Sequence, residues 1–320
     1  MNQENNKSAF NHAHICPKMI TASKKTINTP CHKNLVYTSA GDNANLIKWI
    51  KGKRYFDLWI TYYGNREGRY REFADYYNMR KDGKFPNLYH DYQLWPHIFK
   101  QYEAILVMDD DILIGAAQIN RLFKIRKKYD LWILQPAFET KGKISHRITR
   151  VNPYTSLRYT NFVEVTCPLF RQDKLERFMK IYNPVLVGWG VDWWFLDVIG
   201  KSTKDRIAIT DCVTCINPLD SAKDGQREID RLQAPSKRLE TWRQIKAKHG
   251  IQSEEKGQMQ YAFVPKPLLF IFVRKILNIG QSLKRKFSKL FRQLLNDKKC
   301  SGRYTSTGAL SRKIVALPAN

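Results

Sequence analysis

The run Ala104-Ile-Leu-Val-Met108, broken by Asp109-Asp110-Asp111, constrains the fold more than any other stretch of this chain. Short, continuously apolar and flanked by charge, it reads as a strand buried on both faces of a parallel sheet. In open α/β sheets ligands gather beyond the carboxyl ends of the strands. Strand alternation aims Asp109 and Asp111 one way and Asp110 the other, so two hard oxygen ligands face one place. Carboxylates this close repel unless a cation or a proton intervenes. A divalent metal, Mn²⁺ or Mg²⁺, bridging to a substrate phosphate accounts for them. An acidic loop or helix start is the other source of such a cluster.

The flanking sequence repeats the strand–helix texture. Residues 1–32 are polar and aperiodic, and His12, His14, Cys16, Cys31 and His32 have no zinc spacing, so a loose leader is expected. From there Asn34–Thr38 reads as a strand, Ala44–Lys51 as a short helix and Phe56–Tyr63 as a second strand. Gly115–Lys128 puts Ala116, Ile119, Leu122 and Phe123 on one helical face, and Leu131–Leu134 follows as a strand. Asp173 and Glu176 suggest a capping box for a helix whose Leu175, Phe178, Met179 and Tyr182 form a core stripe ending near Asn183-Pro184. Ser236–His249, stopped by Gly250, reads as a last exposed helix. Alternation of this kind predicts an α/β fold with a mostly parallel sheet flanked by helices.

The charge of +26 is uneven: residues 262–313 carry 13 Lys or Arg against the single acid Asp297. Within that tail Ile276, Ile279, Leu283, Phe287, Leu290, Phe291 and Leu294 follow helical spacing, with Lys284, Arg285, Lys286, Lys289 and Arg292 between them. A basic amphipathic helix with a wide aromatic face suits an anionic membrane surface. Nucleic acid is the less favoured partner, because phosphate binding does not require that face. Six scattered cysteines in a chain of 320 residues need no disulfides, which points to the cytoplasm, peripheral at the inner face of a membrane. Neither a signal-peptide pattern nor an apolar stretch of about 18 residues is present.

Gly188-Trp-Gly-Val-Asp192 is the second constellation. Two glycines around Trp189 permit a tight turn presenting a flat apolar surface beside a carboxylate. A sugar can stack on such a ring while a hydroxyl gives its proton to Asp192 as general base. A structural turn followed by core tryptophans is the equal alternative.

At these residues the chain resembles a known family, catalogued as domain of unknown function 707. The stretches that carry the resemblance are Asn34–Asp42, Phe56-Asp57 with Tyr62-Tyr63-Gly64, Lys84–Leu88, Val107–Ile112, Asn161–Glu164 with Pro168, and Gly188–Asp192. That family is similar to nucleotide-diphospho-sugar transferases of the GT-A fold, in which an Asp-x-Asp motif binds the metal and the donor diphosphate. The resemblance implies that Asp109 and Asp111 hold the metal, with Asp110 beside the donor. It places Ser39, Gly41 and Asp42 near the nucleotide, and Lys84 at the diphosphate unless it is an ordinary loop lysine. Glu164, Gly188, Trp189 and Gly190 fall on the acceptor side, and Asp192 inherits the role of base. Related sequences carry a metal-binding histidine further on. Here Asn217 takes that place and would supply a weaker ligand. Cys212-x-x-Cys215 lacks a second pair and a thioredoxin-like context, so zinc and redox roles are set aside.

The expected arrangement is therefore a leader over 1–32, a GT-A-like catalytic domain over 33–250 and a basic tail over 251–320, with the membrane contact within 262–320. The expected activity is metal-dependent transfer of a sugar from a nucleotide-diphosphate donor to a glycan or lipid-linked acceptor, in cell-surface polysaccharide or glycolipid synthesis. The alternatives are a catalytically inactive GT-A-like binding protein and a metal-dependent phosphoesterase.

Overall fold

A computed structural model describes residues 29–200, 203–219, 228–267 and Ser288. Nine strands among them form one sheet: β1 (Asn34–Ala40), β2 (Asp57–Tyr62), β3 (Tyr76–Met79), β4 (Ala104–Val107), β5 (Ile133–Phe138), β6 (Thr155–Thr160), β7 (Leu169–Arg171), β8 (Ile207–Cys215) and β9 (Gln260–Pro265). Their order is β3-β2-β1-β4-β7-β5-β8-β6-β9. All but β6 and β7 run in the same direction. The short β7 slips antiparallel between β4 and β5, and β6 lies antiparallel to both β8 and β9. With three residues, β7 is too short to show a period in the sequence.

Alternation sorts the side chains onto two cores. Leu35, Tyr37, Ile105, Val107 and Ile133 enter one, and Val36, Leu106, Met108 and Leu134 the other. Helices α2 (Lys84–Leu94), α3 (Pro96–Phe99), α5 (Gln172–Met179), α6 (Val191–Gly200) and α8 (Pro235–His249) contribute to the first. The second receives α1 (Leu46–Ile50) and α4 (Ala116–Lys128). The remaining helix, α7 (Glu228–Leu232), precedes α8. The expected box at Asp173 and Glu176 does not cap α5, whose N-cap is Arg171; Asp173 instead pairs with the Arg171 guanidinium at 2.6 Å. An adjacent cation outcompetes a backbone N–H for that carboxylate.

Buried polar contacts pin these layers. Asp91 of α2 accepts hydrogen bonds from Tyr37 (2.8 Å), Thr61 (2.6 Å) and Asn78 (2.5 Å), one residue from each of β1, β2 and β3. At the other end of β2, Asp57 accepts from His32 Nδ1 and the Tyr102 hydroxyl, so the last leader residues are tied to the sheet.

The first compact unit runs to Pro265. It includes β9 and so passes the boundary expected at Gly250. An edge strand with mostly exposed residues, Gln-Tyr-Ala-Phe-Val-Pro, gives no buried face to read. Apart from Ser288, the amphipathic helix expected over 276–294 lies outside the described residues, as do residues 1–28 of the leader. No helix among the described residues is long and apolar enough to cross a membrane.

Candidate active site at the carboxyl ends of the strands

The strand order reverses between β1 and β4, which run parallel. From β1 the strands proceed outward to β2 and β3, and from β4 toward the opposite edge. The crevice at such a switch point is where open α/β sheets bind ligands. Ser39 to Asp42 leave β1 there, and Asp109 to Asp111 leave β4.

The acidic triplet does not continue the strand. The Ile112 N–H bonds to the Asp109 carbonyl at 3.3 Å, turning the chain at once. Asp111 is therefore placed by a turn and not by alternation, as the sequence had suggested. Asp110 is held by the residues that follow β1 and β2. It accepts from the Gly41 N–H (2.8 Å) and the Tyr63 hydroxyl (3.2 Å), joining the ends of β1, β2 and β4. Burial pushes its carboxyl up to about 7. Asp110, expected beside the donor, is thus engaged by the protein's own donors.

The residues after β1 form a wall of the crevice. The Ser39 hydroxyl accepts from Asn87 of α2 at 2.9 Å. A Cβ on Gly41 would stand 2.7 Å from the Tyr63 ring, so only glycine fits under that aromatic. Asp42 accepts from the Tyr62 hydroxyl and from the Asn65 N–H, and the Tyr62 bond holds its carboxyl below the usual range.

Lys84, the first residue of α2, points into the site. Its ammonium bonds Asp109 Oδ1 (2.6 Å) and the carbonyls of Val165 (2.7 Å) and Thr166 (3.0 Å). It is a buried internal cation and not a solvated loop lysine. Gly83 lets α2 start here, since a Cβ would lie 2.6 Å from the Val187 side chain.

Two buried carboxyls stand at the 161–168 segment. Glu164 accepts from the hydroxyls of Thr149 (3.3 Å) and Thr166 (3.1 Å), and its own N–H donates to Gln135 Oε1 at 2.7 Å. Burial first, and then the charge of Asp192, push it up to about 7. Asp192, in the first turn of α6, accepts from the Trp193 N–H at 2.9 Å. Burial pushes it up to about 6, against the lowering effect of the Trp193 and Val165 N–H groups. Lys84 and Asp192 therefore grip the same segment, one by its carbonyls and the other by an N–H.

The Gly188-Trp-Gly turn presents Trp189 as expected. Gly188 and Gly190 have φ of 81° and 91°, where side chains are strained. A Cβ on Gly190 would stand 2.3 Å from the Trp242 indole of α8. Trp189, between them, is 50 % exposed, whereas Trp193 and Trp194 are buried.

Three contributors escaped the sequence reading. Glu254 raises the Asp192 carboxyl, bonding Trp242 Nε1 (3.2 Å) and Lys246 (3.0 Å) at the same time. His146 packs on Phe162 (4.6 Å between ring centroids), which packs on Trp193 (4.7 Å). Burial lowers the His146 pKa, so its ring is neutral at pH 7. Thr149 follows on the same loop. None of them sits in a motif, and only the fold brings them to Asp192 and Glu164.

Asn217 is buried, and the bridge Leu113↔Ile216 lays its segment antiparallel beside the residues that follow Asp111. No three His, Cys, Asp or Glu side chains among the described residues gather in an arrangement that could hold an ion. A preformed protein cage does not fit these residues. An ion held by one or two carboxylates and completed by water and substrate phosphate does, and this is the habit of Mg²⁺. Cys212 and Cys215 lie on β8 and form no disulfide, nor do Cys31 and Cys167.

Fold and site define an α/β protein with an acidic cleft at the strand switch point and a buried carboxyl pair at its side. The chain belongs to the family described as protein of unknown function DUF707, whose model matches residues 78–256, more than half its length. That span includes Lys84, the acidic triplet, Glu164, the Gly-Trp-Gly turn, Asn217 and Glu254, but not Ser39 to Asp42. No curated protein matches the chain. Solved structures similar to it include glycosyltransferases of the GT-A type. TarS 1–349 of S. aureus in complex with UDP-GlcNAc aligns at 12 % identity, covering 67 % of this chain and 66 % of that one, with a TM-score of 0.47. GalNAc-T7 with UDP, GalNAc and Mn²⁺ aligns at 10 % identity over 67 % of this chain and 48 % of that one, TM-score 0.46. The match to the longer TarS structure covers 36 % of that chain at 12 % identity and a TM-score of 0.41, so this chain spans under two thirds of each.

Proposed function

We propose that this protein is a glycosyltransferase that moves a sugar from a nucleoside diphosphate to a hydroxyl of a glycan or lipid-linked acceptor. One observation carries the reading: Lys84 ties Asp109 to the Val165 and Thr166 carbonyls, and Thr166 donates to Glu164, so the acidic strand end and the buried carboxyls belong to one connected site. A donor diphosphate at the ends of β1 and β4 and an acceptor on Trp189 would then meet at that site.

In this reading Trp189 stacks on the apolar face of a sugar ring. Asp192, with a carboxyl near 6, is ionised at neutral pH and basic enough to take a proton. The acceptor O–H gives its proton to Asp192 and its oxygen bonds to the anomeric carbon. The bond from that carbon to the diphosphate oxygen breaks, and the diphosphate leaves with the electron pair. Asp109 and Asp111, with Asn217 alongside, would hold a divalent ion. When bound, that ion neutralises charge on the departing diphosphate. Glu164 keeps a carboxyl proton near neutral pH and limits the negative charge beside Asp192.

The basic tail supports placing the protein in the cytoplasm, peripheral at the inner face of an anionic membrane. The test of the activity is a screen of sugar nucleotides with Mn²⁺ and the full chain, reading released nucleoside diphosphate by mass spectrometry. Turnover that needs an acceptor and disappears in Asp192→Asn is expected. Hydrolysis independent of acceptor, or no binding of UDP or GDP, overturns the assignment.

A further inference from the structure

Lys84 is in an unfavourable place for a cation. It opens α2, where the helix dipole repels positive charge, and its side chain is only 9 % exposed. The carbonyls of Val165 and Thr166 take two ammonium protons but bring no net charge. Asp109 supplies the countercharge at 2.6 Å, while its own side chain stays 42 % exposed. The same carboxylate therefore faces an internal cation on one side and the solvent of the cleft on the other.

Resting on the donor-site reading above, we propose that Lys84 competes with a divalent ion for Asp109. The competition is relieved by a nucleoside diphosphate, which gives the ammonium a second anion to turn to. Ion and diphosphate then bind as a coupled pair, each weakly alone. Two observations support this. The third carboxylate of the triplet, Asp110, is already engaged by the Gly41 N–H and the Tyr63 hydroxyl. The backbone of Lys84 is fixed by Gly83 against Val187, whereas its four-carbon stem can swing between two anions without moving α2. Coupling of this kind is reciprocal: whatever factor UDP adds to the affinity for the ion, the ion adds to the affinity for UDP.

The test is Mn²⁺ binding to the full chain, read as free Mn²⁺ by electron paramagnetic resonance with and without UDP. In the wild type, UDP should tighten Mn²⁺ by about tenfold, the worth of one charge-assisted hydrogen bond. Lys84→Gln should bind Mn²⁺ alone about tenfold more tightly than the wild type, and UDP should then add little. Adding Asp109→Asn to that variant should restore weak binding. If Lys84→Gln leaves Mn²⁺ affinity unchanged while the wild type still takes up Mn²⁺ with UDP, the competition is overturned and the donor site stands. If the wild type binds neither, the donor-site reading itself fails. A second measurement needs no variant: the Lys84 ¹⁵Nζ resonance should move when Mg²⁺ and UDP are added together and stay in place with Mg²⁺ alone. A signal unmoved by both together overturns the proposal.

Discussion

Lys84 Nζ lies 2.6 Å from Asp109 Oδ1, and the same ammonium holds the Val165 and Thr166 carbonyls, so one side chain ties the end of β4 to the segment bearing Glu164. Lys84→Met removes those donors and leaves two carbonyls and a carboxylate to find water. The expected cost is about 2 kcal/mol, a fall of roughly 5 °C in Tm. Asp109→Asn, which keeps an oxygen acceptor on a partly exposed side chain, should cost less. Thermal melts of both variants check the order; equal losses would mean that the carbonyl contacts contribute nothing.

The two glycines of the Trp189 turn make a second expectation. Gly190→Ala places a methyl within the Trp242 indole at a φ of 91°. Overpacking and backbone strain together should cost about 3 kcal/mol or more. Denaturant unfolding would measure it. A loss below 1 kcal/mol would show that α8 yields easily, since overpacking alone costs about 1–3 kcal/mol.

Trp189→Ala tests the same turn from its exposed side. With half of its surface in solvent, the indole adds little to stability, and the melt should shift by no more than about 0.5 kcal/mol. If the ring is a sugar platform, acceptor KM should rise roughly tenfold with kcat much less affected. An unchanged KM would remove Trp189 from the acceptor site.

Much of this was legible beforehand. The strand Ala104–Val107, the helix over 116–128 and the stop at Gly250 follow from period and capping alone. Lys84, Asp109 and the segment bearing Glu164 do come together at one end of the sheet. What periodicity could not show was how tight turns and buried charges redirect side chains. Ile112 closes a turn on Asp109, Lys84 swings inward from a helix start, and Glu254 returns to Asp192 from beyond the last helix. Such placements depend on contacts between residues distant in sequence.

The buried carboxyls predict a pH dependence of stability. Glu164, raised to about 7, binds a proton more tightly when folded than when unfolded. Its contribution is therefore complete below pH 4 or so and is lost as pH rises through about 7, worth roughly 3 kcal/mol in all. Glu164→Gln keeps the hydroxyl contacts without the titration, so its Tm should fall less than that of the wild type between pH 5 and pH 8. Identical slopes would place the titration elsewhere.

For Asp192, raised to about 6, loss of the ionised form should give kcat/KM an acid limb near that pH. Glu254→Gln removes a negative neighbour and should move the limb to lower pH. A limb that stays in place would separate Glu254 from the base.

The ninth strand has a practical consequence. β6 pairs with β8 on one side and β9 on the other. A chain cut at Gly250, where the last regular helix stops, would strip that cover and expose a row of unpaired backbone groups, a template for self-association. It would also lose Glu254. Versions meant to be free of the basic tail should end after Pro265, and insolubility of a shorter one would report a bare sheet edge and not a need for lipid.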